Sequence, residues 1–237
     1  MRLHRFIGDY DLSQKKLRLT DNETIRQVRN VLRLGVGDFL MLVERGAGEA
    51  RCSITNLGDA FLEVEVLEHA PAPAEALRSV ALYCAALKRD NFEFVAQKAT
   101  EAGVARIVPV RTERTIKQNL NHVRLEKIVK EAAEQSGRTT VPAVGEVMPF
   151  SEAIVDAQAV GRTVIACDAS GEPFSALARD IADEAALFVG PEGGWSEEEL
   201  AAMRGAGCAV MSLGALMLRA ETAATVASYL VCQQKNV

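Results

Sequence analysis

Two loops near the C-terminus combine glycine with charged residues in patterns that could bind a ligand and assist its chemistry. In the first, Phe188–Glu199, an apolar stretch leads into Gly190, and two more glycines precede Ser196 and Glu199, which have the spacing of a helix capping box. Glycines let backbone amides approach a ligand closely. The run lacks the G-x-G-x-x-G of a dinucleotide site and the G-K-[ST] of a P-loop. The alternative interpretation is an ordinary tight turn before a capped helix.

The second loop, Ser212–Thr222, lies between the last predicted strand and an apolar terminal helix. Arg219 and Glu221 flank Ala220, and this pair could orient a polar ligand or simply form an ion pair, which contributes little when exposed. The chain has no G-x-S-x-G motif and no histidine after His122, so the usual hydrolase arrangements are excluded.

The periodicity of apolar residues predicts the elements that position these loops. Residues 1–70 form short β-like segments, and Leu62, Val64 and Val66 alternate with acidic residues, which favours a small antiparallel barrel. Residues 71–77 follow as a linker, and residues 78–237 alternate buried strands with helices. This alternation predicts a parallel sheet covered by helices on both faces, with ligands bound beyond the carboxyl ends of the strands. The predicted strands are 80–87, 105–110, 163–167, 186–189 and 208–213.

Charge is distributed unevenly, although the formal net charge of the 237 residues is −5. Residues 1–33 carry 8 Lys/Arg against 4 Asp/Glu, and residues 78–138 carry 12 against 7, whereas the other two segments are acidic. Two basic segments in an acidic chain are typical of a phosphate-binding face. Solvated helix faces are the alternative.

Cysteine and histidine placement argues against a metal site and for a reducing compartment. The five cysteines are scattered without a C-x-x-C pair, and the three histidines lie far from them. No apolar run approaches the roughly 20 residues of a membrane span, and the first residues lack the apolar stretch of a secretory signal. We therefore expect free thiols, no protein metal site and a cytoplasmic location.

Six short motifs, in this order along the chain, resemble those of one enzyme family. They are Asn30–Asp38, Gln97–Val104, Thr112–Arg114, Glu131–Arg138 with Val141-Pro142, Gly190–Gly194 and Leu218–Ala223. Over its whole length the chain resembles the RsmE family of bacterial 16S ribosomal RNA uridine-N3 methyltransferases, within the SPOUT superfamily.

The resemblance implies a fold, a cofactor and partners. The C-terminal sheet would close in a deep trefoil knot, preceded by a PUA-like β-barrel that helps to hold RNA. The methyl donor would be S-adenosylmethionine, held by the two loops, and the substrate a specific uridine of 16S rRNA in the small ribosomal subunit. The family forms homodimers, so a site residue can come from either protomer.

The resemblance also assigns roles to individual residues. Arg219 would stabilise the charge that develops on uracil as N3 loses its proton, and Glu221 would orient Arg219 or take the proton, with Glu192 as the rival base. The alternative is that Arg219 and Glu221 only brace the fold. The donor-binding residues would be Val189, Gly190, Pro191, Glu192, Gly193, Gly194, Leu213, Gly214, Met217, Leu218, Arg219 and Thr222.

The expected RNA contacts are basic residues, most of which lie in the two positively charged segments. They are Arg2, Arg5, Arg29, Arg33, Lys88, Arg89, Arg111, Arg114 and Arg138. One departure from the family affects this surface, because relatives usually have an arginine where this chain has Leu216. Two other functions stay open: a SPOUT methyltransferase with another RNA target, and a non-catalytic ribosome-binding factor.

Overall fold

The computed structural model describes residues 3–73, 75–115, 119–160 and 163–234, and their contacts divide the chain into two compact units. The N-terminal unit comprises residues 1–75 and 133–141, and the C-terminal unit comprises residues 76–132 and 142–237. The sequence pattern did not assign residues 133–141 to the first unit, because only tertiary contacts show where so distant a segment packs.

The N-terminal unit is built on a five-stranded sheet in the order β1-β3-β4-β5-β2. The pairing of β1 with β3 is parallel and the other pairings are antiparallel. The alternation read from the sequence is confirmed, since Leu62, Val64 and Val66 all belong to the core. Asp21 caps α1, which continues as a π-helical turn over 27–31. The elements are β1 (Arg5–Gly8), β2 (Lys16–Leu19), α1 (Asn22–Arg26), β3 (Phe39–Glu44), β4 (Gly48–Leu57) and β5 (Leu62–Pro71).

Residues 133–141 join the N-terminal unit through both apolar and polar contacts. Ala133 packs with the buried Ile7 and Val43. The Glu134 carboxylate accepts the backbone N–H of Ile7 at 3.0 Å, and the Arg5 guanidinium donates to the carbonyl of Gly137 at 3.2 Å. These bonds satisfy buried polar groups that would otherwise destabilise the unit.

The C-terminal unit contains an entirely parallel sheet in the order β12-β10-β11-β6-β7-β8, with β9 also paired to β7. The predicted α/β fold with a parallel sheet is therefore confirmed. Its strands are β6 (Ser79–Ala85), β7 (Arg106–Arg111), β8 (Ala143–Val144), β9 (Met148–Pro149), β10 (Thr163–Pro173), β11 (Glu184–Val189) and β12 (Ala209–Ser212). The helices are α2 (Arg89–Ala102), α3 (His122–Ser136), α4 (Phe150–Val160), α5 (Phe174–Leu177), α6 (Glu197–Gly205) and α7 (Ala220–Gln233).

The central strands of this sheet are apolar because helices cover them. Every residue from Val80 to Ala85 is buried, as expected for a strand with no face open to water. Tyr83 stacks on Phe188 of β11 with ring centroids 4.8 Å apart, a contact worth roughly 0.5–1.5 kcal/mol beyond burial. Helix α7 packs on β6, β11 and α2. Within the described part of the chain, no helix is long and apolar enough to cross a membrane.

Candidate functional site

A cavity of about 500 Å³ opens at the carboxyl ends of β10, β11 and β12, where parallel α/β sheets bind ligands. Eleven of the twelve expected donor-binding residues line it, namely Val189, Gly190, Pro191, Glu192, Gly193, Gly194, Leu213, Gly214, Met217, Leu218 and Arg219. The twelfth, Thr222, lies exposed in the first turn of α7 and is not part of the lining. The fold thus brings together two loops that α6 and β12 separate in the sequence.

A third wall of the cavity lies around Cys167 in β10, where the sequence favours a turn at residues 168–171 and leaves open that this strand end contacts a ligand. Cys167 and Glu172 both lie opposite Met211 of β12, so the four residues between them bulge out of the ladder. Asp168 Oδ1 holds this bulge by accepting the N–H and the hydroxyl of Ser170 at 2.9 and 2.6 Å. A polar run directly after a predicted strand was the available signal. The unassigned lining residues are Cys167, Asp168, Ala169, Trp195, Met211, Ser212, Leu216, Ala220 and Ala223.

The first wall is the glycine-rich turn, residues 190–194, which follows β11. Gly194 has φ +70° and donates its N–H to the Pro191 carbonyl at 2.9 Å, which closes the turn. The indole of Trp195 lies against Gly190, where an added Cβ would approach the ring to 3.1 Å. The same indole N–H donates to the Cys167 carbonyl at 3.0 Å and so links the ends of β10 and β11. Gly190 is therefore required by packing, whereas Gly194 is required by backbone conformation.

The predicted capping box at the start of α6 is confirmed. The N–H of Glu199 donates to Ser196 Oγ at 3.2 Å, and Glu199 Oε2 accepts the N–H of Ser196 at 3.0 Å. Glu199 is only 6% exposed, and its other oxygen accepts the N–H of Glu113 at 2.8 Å. The Arg114 guanidinium donates to the Gly193 carbonyl at 2.7 Å. The loop after β7 is thus bonded to the glycine-rich turn at Gly193 and to the first turn of α6 at Glu199.

The second wall is the exposed loop, residues 213–218, between β12 and α7. Gly214 has φ +116°, and its N–H donates weakly to Ser212 Oγ at 3.3 Å. Leu216 and Met217 are 82% and 89% exposed, an unusual placement for large apolar side chains. In the described part of the chain, no side chain other than that of Ser212 hydrogen-bonds to residues 213–217.

Of the three expected catalytic residues, Arg219 and Glu192 line the cavity, whereas Glu221 lies in the first turn of α7 and is not part of the lining. Arg219 is exposed, lines the cavity and occupies the N-cap position of α7 without a side-chain capping bond. Burial raises the pKa of the Cys84 thiol, and the negative charges of Glu192 and Glu221 raise it further. Among the described residues, the buried Oε2 of Glu221 has no hydrogen-bond partner.

Four of the expected RNA contacts lie in the C-terminal unit at the ends of β6 and β7. Lys88 and Arg89 follow β6, and Arg111 and Arg114 lie at and after the end of β7. All four are exposed, although Arg89 pairs with Glu93 at 3.1 Å. The strand order puts these ends on the same sheet edge as the cavity.

The expected RNA contacts of the N-terminal unit differ in their accessibility. The side chain of Arg5 is 12% exposed and forms an ion pair with Glu49, and that of Arg138 is 9% exposed and pairs with Glu75 at 3.0 Å. Arg29 forms an exposed ion pair with Asp59, and Arg33 is exposed with φ +55°. Arg2 lies outside the described residues. Internal pairing explains the positions of Arg5 and Arg138 without RNA.

Known proteins are similar to this chain over most of its length. The methyltransferase E of the small ribosomal subunit RNA from Bacillus subtilis is 29% identical over 214 residues, covering 85% of this chain and 84% of its own. The enzyme of that name from Mycobacterium tuberculosis is 31% identical over 216 residues, covering 86% and 79%. The corresponding enzyme from Neisseria gonorrhoeae, solved with bound S-adenosylmethionine, superimposes with a TM-score of 0.84 at 29% identity, covering 96% and 95%.

A family model also matches most of this chain. Residues 74–231, about two thirds of the sequence, match the model described as an RNA methyltransferase domain. The match includes β10, β11, β12 and both loops that wall the cavity. The chain therefore belongs to the RNA methyltransferase domain family.

Proposed function

We propose that this protein transfers a methyl group from S-adenosylmethionine to N3 of a uridine in the RNA of the small ribosomal subunit. The observation that carries the proposal is the cavity at the carboxyl ends of β10, β11 and β12, lined by the two loops that the resemblance assigns to the donor. The names of the relatives from Bacillus subtilis and Mycobacterium tuberculosis support the substrate class. The donor bound to the Neisseria gonorrhoeae relative supports the cofactor.

The residues of the cavity fit a ligand of the donor's size and chemistry. A volume of about 500 Å³ lies in the usual range of roughly 300–1,000 Å³ for small-molecule sites. Apolar groups such as Val189, Leu213 and Leu218 would contact the apolar parts of the donor. Gly190, Gly193 and Gly194 have no side chain, so the backbone of the turn could approach the polar parts of the donor closely. When bound, S-adenosylmethionine supplies a methyl group attached to positively charged sulfur.

The protein's own contribution to this reaction is to position the uridine and to manage one proton. Uracil N3 carries a proton, and its loss spreads negative charge over the two neighbouring carbonyl oxygens. Arg219 is exposed, lines the cavity and makes no side-chain capping bond to α7. We assign it the role of stabilising that charge. Glu221, with a buried oxygen that has no partner in the described part of the chain, would orient Arg219 or accept the proton, and Glu192 is the rival acceptor.

The proposed RNA path runs along the sheet edge from the cavity past the ends of β6 and β7. Lys88, Arg89, Arg111 and Arg114 supply positive charge there, and neutralising phosphates releases counterions. N3 lies on the base-pairing edge of uracil, so the target base has to be unpaired or flipped out of a stack. Arg29 and Arg33, which are exposed in the N-terminal unit, are proposed as further RNA contacts.

The finer features of fold and assembly in this proposal rest on the resemblance. They are a deep trefoil knot at the C-terminal end of the parallel sheet, and a PUA-like barrel formed by the N-terminal unit. They also include a division at residues 71–77 and a homodimer. A substrate that is part of the ribosome would place the enzyme in the cytoplasm.

Methyl transfer to a defined substrate tests the function directly. Small ribosomal subunits that lack uridine-N3 methylation are incubated with labelled S-adenosylmethionine, and their nucleosides are separated by mass spectrometry. We expect N3-methyluridine. A ribose-methylated product or another base would replace the proposed target, and donor binding without transfer to any RNA would favour a non-catalytic factor.

Replacing Arg219 tests the assigned chemistry. We expect Arg219→Ala to lower kcat about 100- to 1,000-fold, the usual effect of removing a group that stabilises developing negative charge. Arg179→Ala is the matched control, since Arg179 is also exposed but does not line the cavity. Full turnover by Arg219→Ala, with unchanged donor affinity, would contradict the role.

A further inference from the structure

We infer that Glu199 and Arg114 are positioning residues that hold the glycine-rich turn in the shape that binds the methyl donor. The inference rests on the proposed function, which makes this turn part of the donor site. Glu199 accepts a hydrogen bond from the backbone of Glu113, and Glu113 and Arg114 both belong to residues Thr112–Thr115. This segment directly follows β7 and is called the brace. No residue of the brace lines the cavity, so its effect on the donor would be indirect.

The carboxylate of Glu199 does more than a helix cap requires. A capping box needs one acceptor atom at this position, and glutamine serves as well as glutamate. Here Oε2 makes the cap with Ser196, while Oε1 reaches out of the helix to the N–H of Glu113 at 2.8 Å. Because the side chain is 6% exposed, a charged group is kept away from water to make this second bond.

Arg114 fixes one peptide plane of the turn. Its guanidinium bonds the Gly193 carbonyl at 2.7 Å, and its Cδ lies 3.4 Å from where a Cβ on Gly193 would be. The same peptide plane ends in the N–H of Gly194, which donates to the Pro191 carbonyl at 2.9 Å. Both polar groups of this peptide are therefore occupied, and the peptide cannot flip without breaking two hydrogen bonds.

The brace itself is rigid enough to serve as an anchor. Thr112 is 5% exposed, its N–H donates to Thr115 Oγ1 at 3.1 Å, and the two hydroxyls are 2.7 Å apart. Between these two residues, Glu113 donates its backbone N–H to Glu199, and Arg114 donates from its side chain to Gly193. With Arg114 on one side of Trp195 and Glu199 on the other, the segment from Gly193 to Ser196 is held at both ends. Ordering a loop in advance lowers the entropic cost of binding.

Donor binding in the absence of RNA tests this role. The full chain is titrated with S-adenosylmethionine, and binding is followed by calorimetry and by the fluorescence of Trp195, the only tryptophan in the chain and part of the cavity lining. In Glu199→Gln one oxygen becomes an N–H₂ group, so one of the two accepted hydrogen bonds is lost whichever way the amide is turned. We expect the Kd for the donor to rise about tenfold.

Two neighbouring substitutions serve as matched controls. Glu198→Gln removes the same charge from an exposed side chain in the same helical turn, and we expect the donor Kd to change less than about twofold. Arg114→Gln is compared with Arg111→Gln, which removes the same charge from the same strand end. We expect both arginine variants to weaken RNA binding, but only Arg114→Gln to raise the donor Kd, by about fivefold.

The pattern of results separates positioning from folding and from the proposed function. If Glu199→Gln and Arg114→Gln bind the donor as tightly as the wild type, the inference is overturned, even if both variants unfold at lower temperature. In a positioning role, a high donor concentration restores kcat while KM stays raised, whereas partial unfolding lowers kcat and leaves KM unchanged. A wild-type chain that binds no donor would overturn the proposed function and the inference together.

Discussion

The two loops that wall the cavity differ in how their shapes are held. The glycine-rich turn is bonded by Arg114 at Gly193, and the residues that follow it are held by the bonds of Trp195 to Cys167 and of Glu199 to Glu113. The exposed loop has local hydrogen bonds between Gly214 and Ser212, and its tip consists of Leu216 and Met217, which are more than four-fifths exposed. One wall of the cavity is therefore held by contacts with other segments, and the other by local hydrogen bonds.

This difference suggests that the two walls have different roles in binding. A turn whose peptides are held before binding contributes affinity for a constant ligand, because little ordering remains to be done. A loop with few internal contacts changes its conformation and its sequence at low cost to stability. Leu216, where the resemblance predicts an arginine, lies in this exposed loop with 82% of its surface open to water.

Among changes to the two walls, adding one methyl group to the glycine-rich turn should have the largest effect on donor binding. In Gly190→Ala the new Cβ would lie 3.1 Å from the ring of Trp195, which cannot retreat easily because it is 4% exposed and bonded to Cys167. We expect a loss of stability of about 1–3 kcal/mol and a donor Kd raised about thirtyfold, measured by thermal unfolding and calorimetry. Gly205→Ala, at the end of α6 with open space around it, should be close to neutral. Normal donor binding by Gly190→Ala would mean that the turn is not rigid.

Hydrogen exchange compares the two loops in the unmodified protein. We expect the amides of Glu113 and Gly194, which donate to Glu199 and Pro191, to exchange about tenfold more slowly than those of Leu216 and Met217. Mass spectrometry of peptides from the free protein gives both rates in one experiment. Equal exchange rates would contradict the inferred difference in rigidity between the two walls.

A glycine substitution in the exposed loop should cost less than one in the turn. Gly214 has φ +116°, which disfavours alanine, but an added Cβ would meet no atom within 4 Å. For Gly214→Ala we expect a backbone cost of about 1 kcal/mol and a donor Kd raised about fivefold. A larger effect than that of Gly190→Ala, in the same calorimetric assay, would reverse the assigned order of rigidity.

The sequence predicted the fold of the C-terminal unit well, because its signals are local. Buried parallel strands are continuous apolar runs, and β6, β7, β10, β11 and β12 all appear where such runs occur. The capping box of Ser196 and Glu199 is also a local pattern and was found. The assignment of residues 133–141 to the N-terminal unit depends on contacts between segments more than 100 residues apart, such as that of Ile7 with Glu134, and no local pattern reveals it.

The candidate site shows the same limit at the level of single residues. The glycines and Arg219 were found because their types and spacing are visible in the chain. The sequence indicated a turn at Asp168 but did not assign it to the donor site, because its position there depends on β10 lying beside β12. Charge counts could not separate Arg111, which is exposed, from Arg5 and Arg138, whose guanidinium groups are taken up by internal pairs.

The smallest expected effect comes from placing in the exposed loop the arginine that the resemblance predicts there. Leu216→Arg places a cation at the mouth of the cavity on a side chain that is 82% exposed, so donor affinity should stay within about twofold of the wild type. RNA affinity at moderate salt should rise about threefold, and the salt dependence should steepen by about one phosphate contact. Leu216→Gln is the control for polarity without charge. Equal RNA binding by the two variants would show that the exposed loop does not face the RNA backbone, and the difference between the walls would then concern the donor alone.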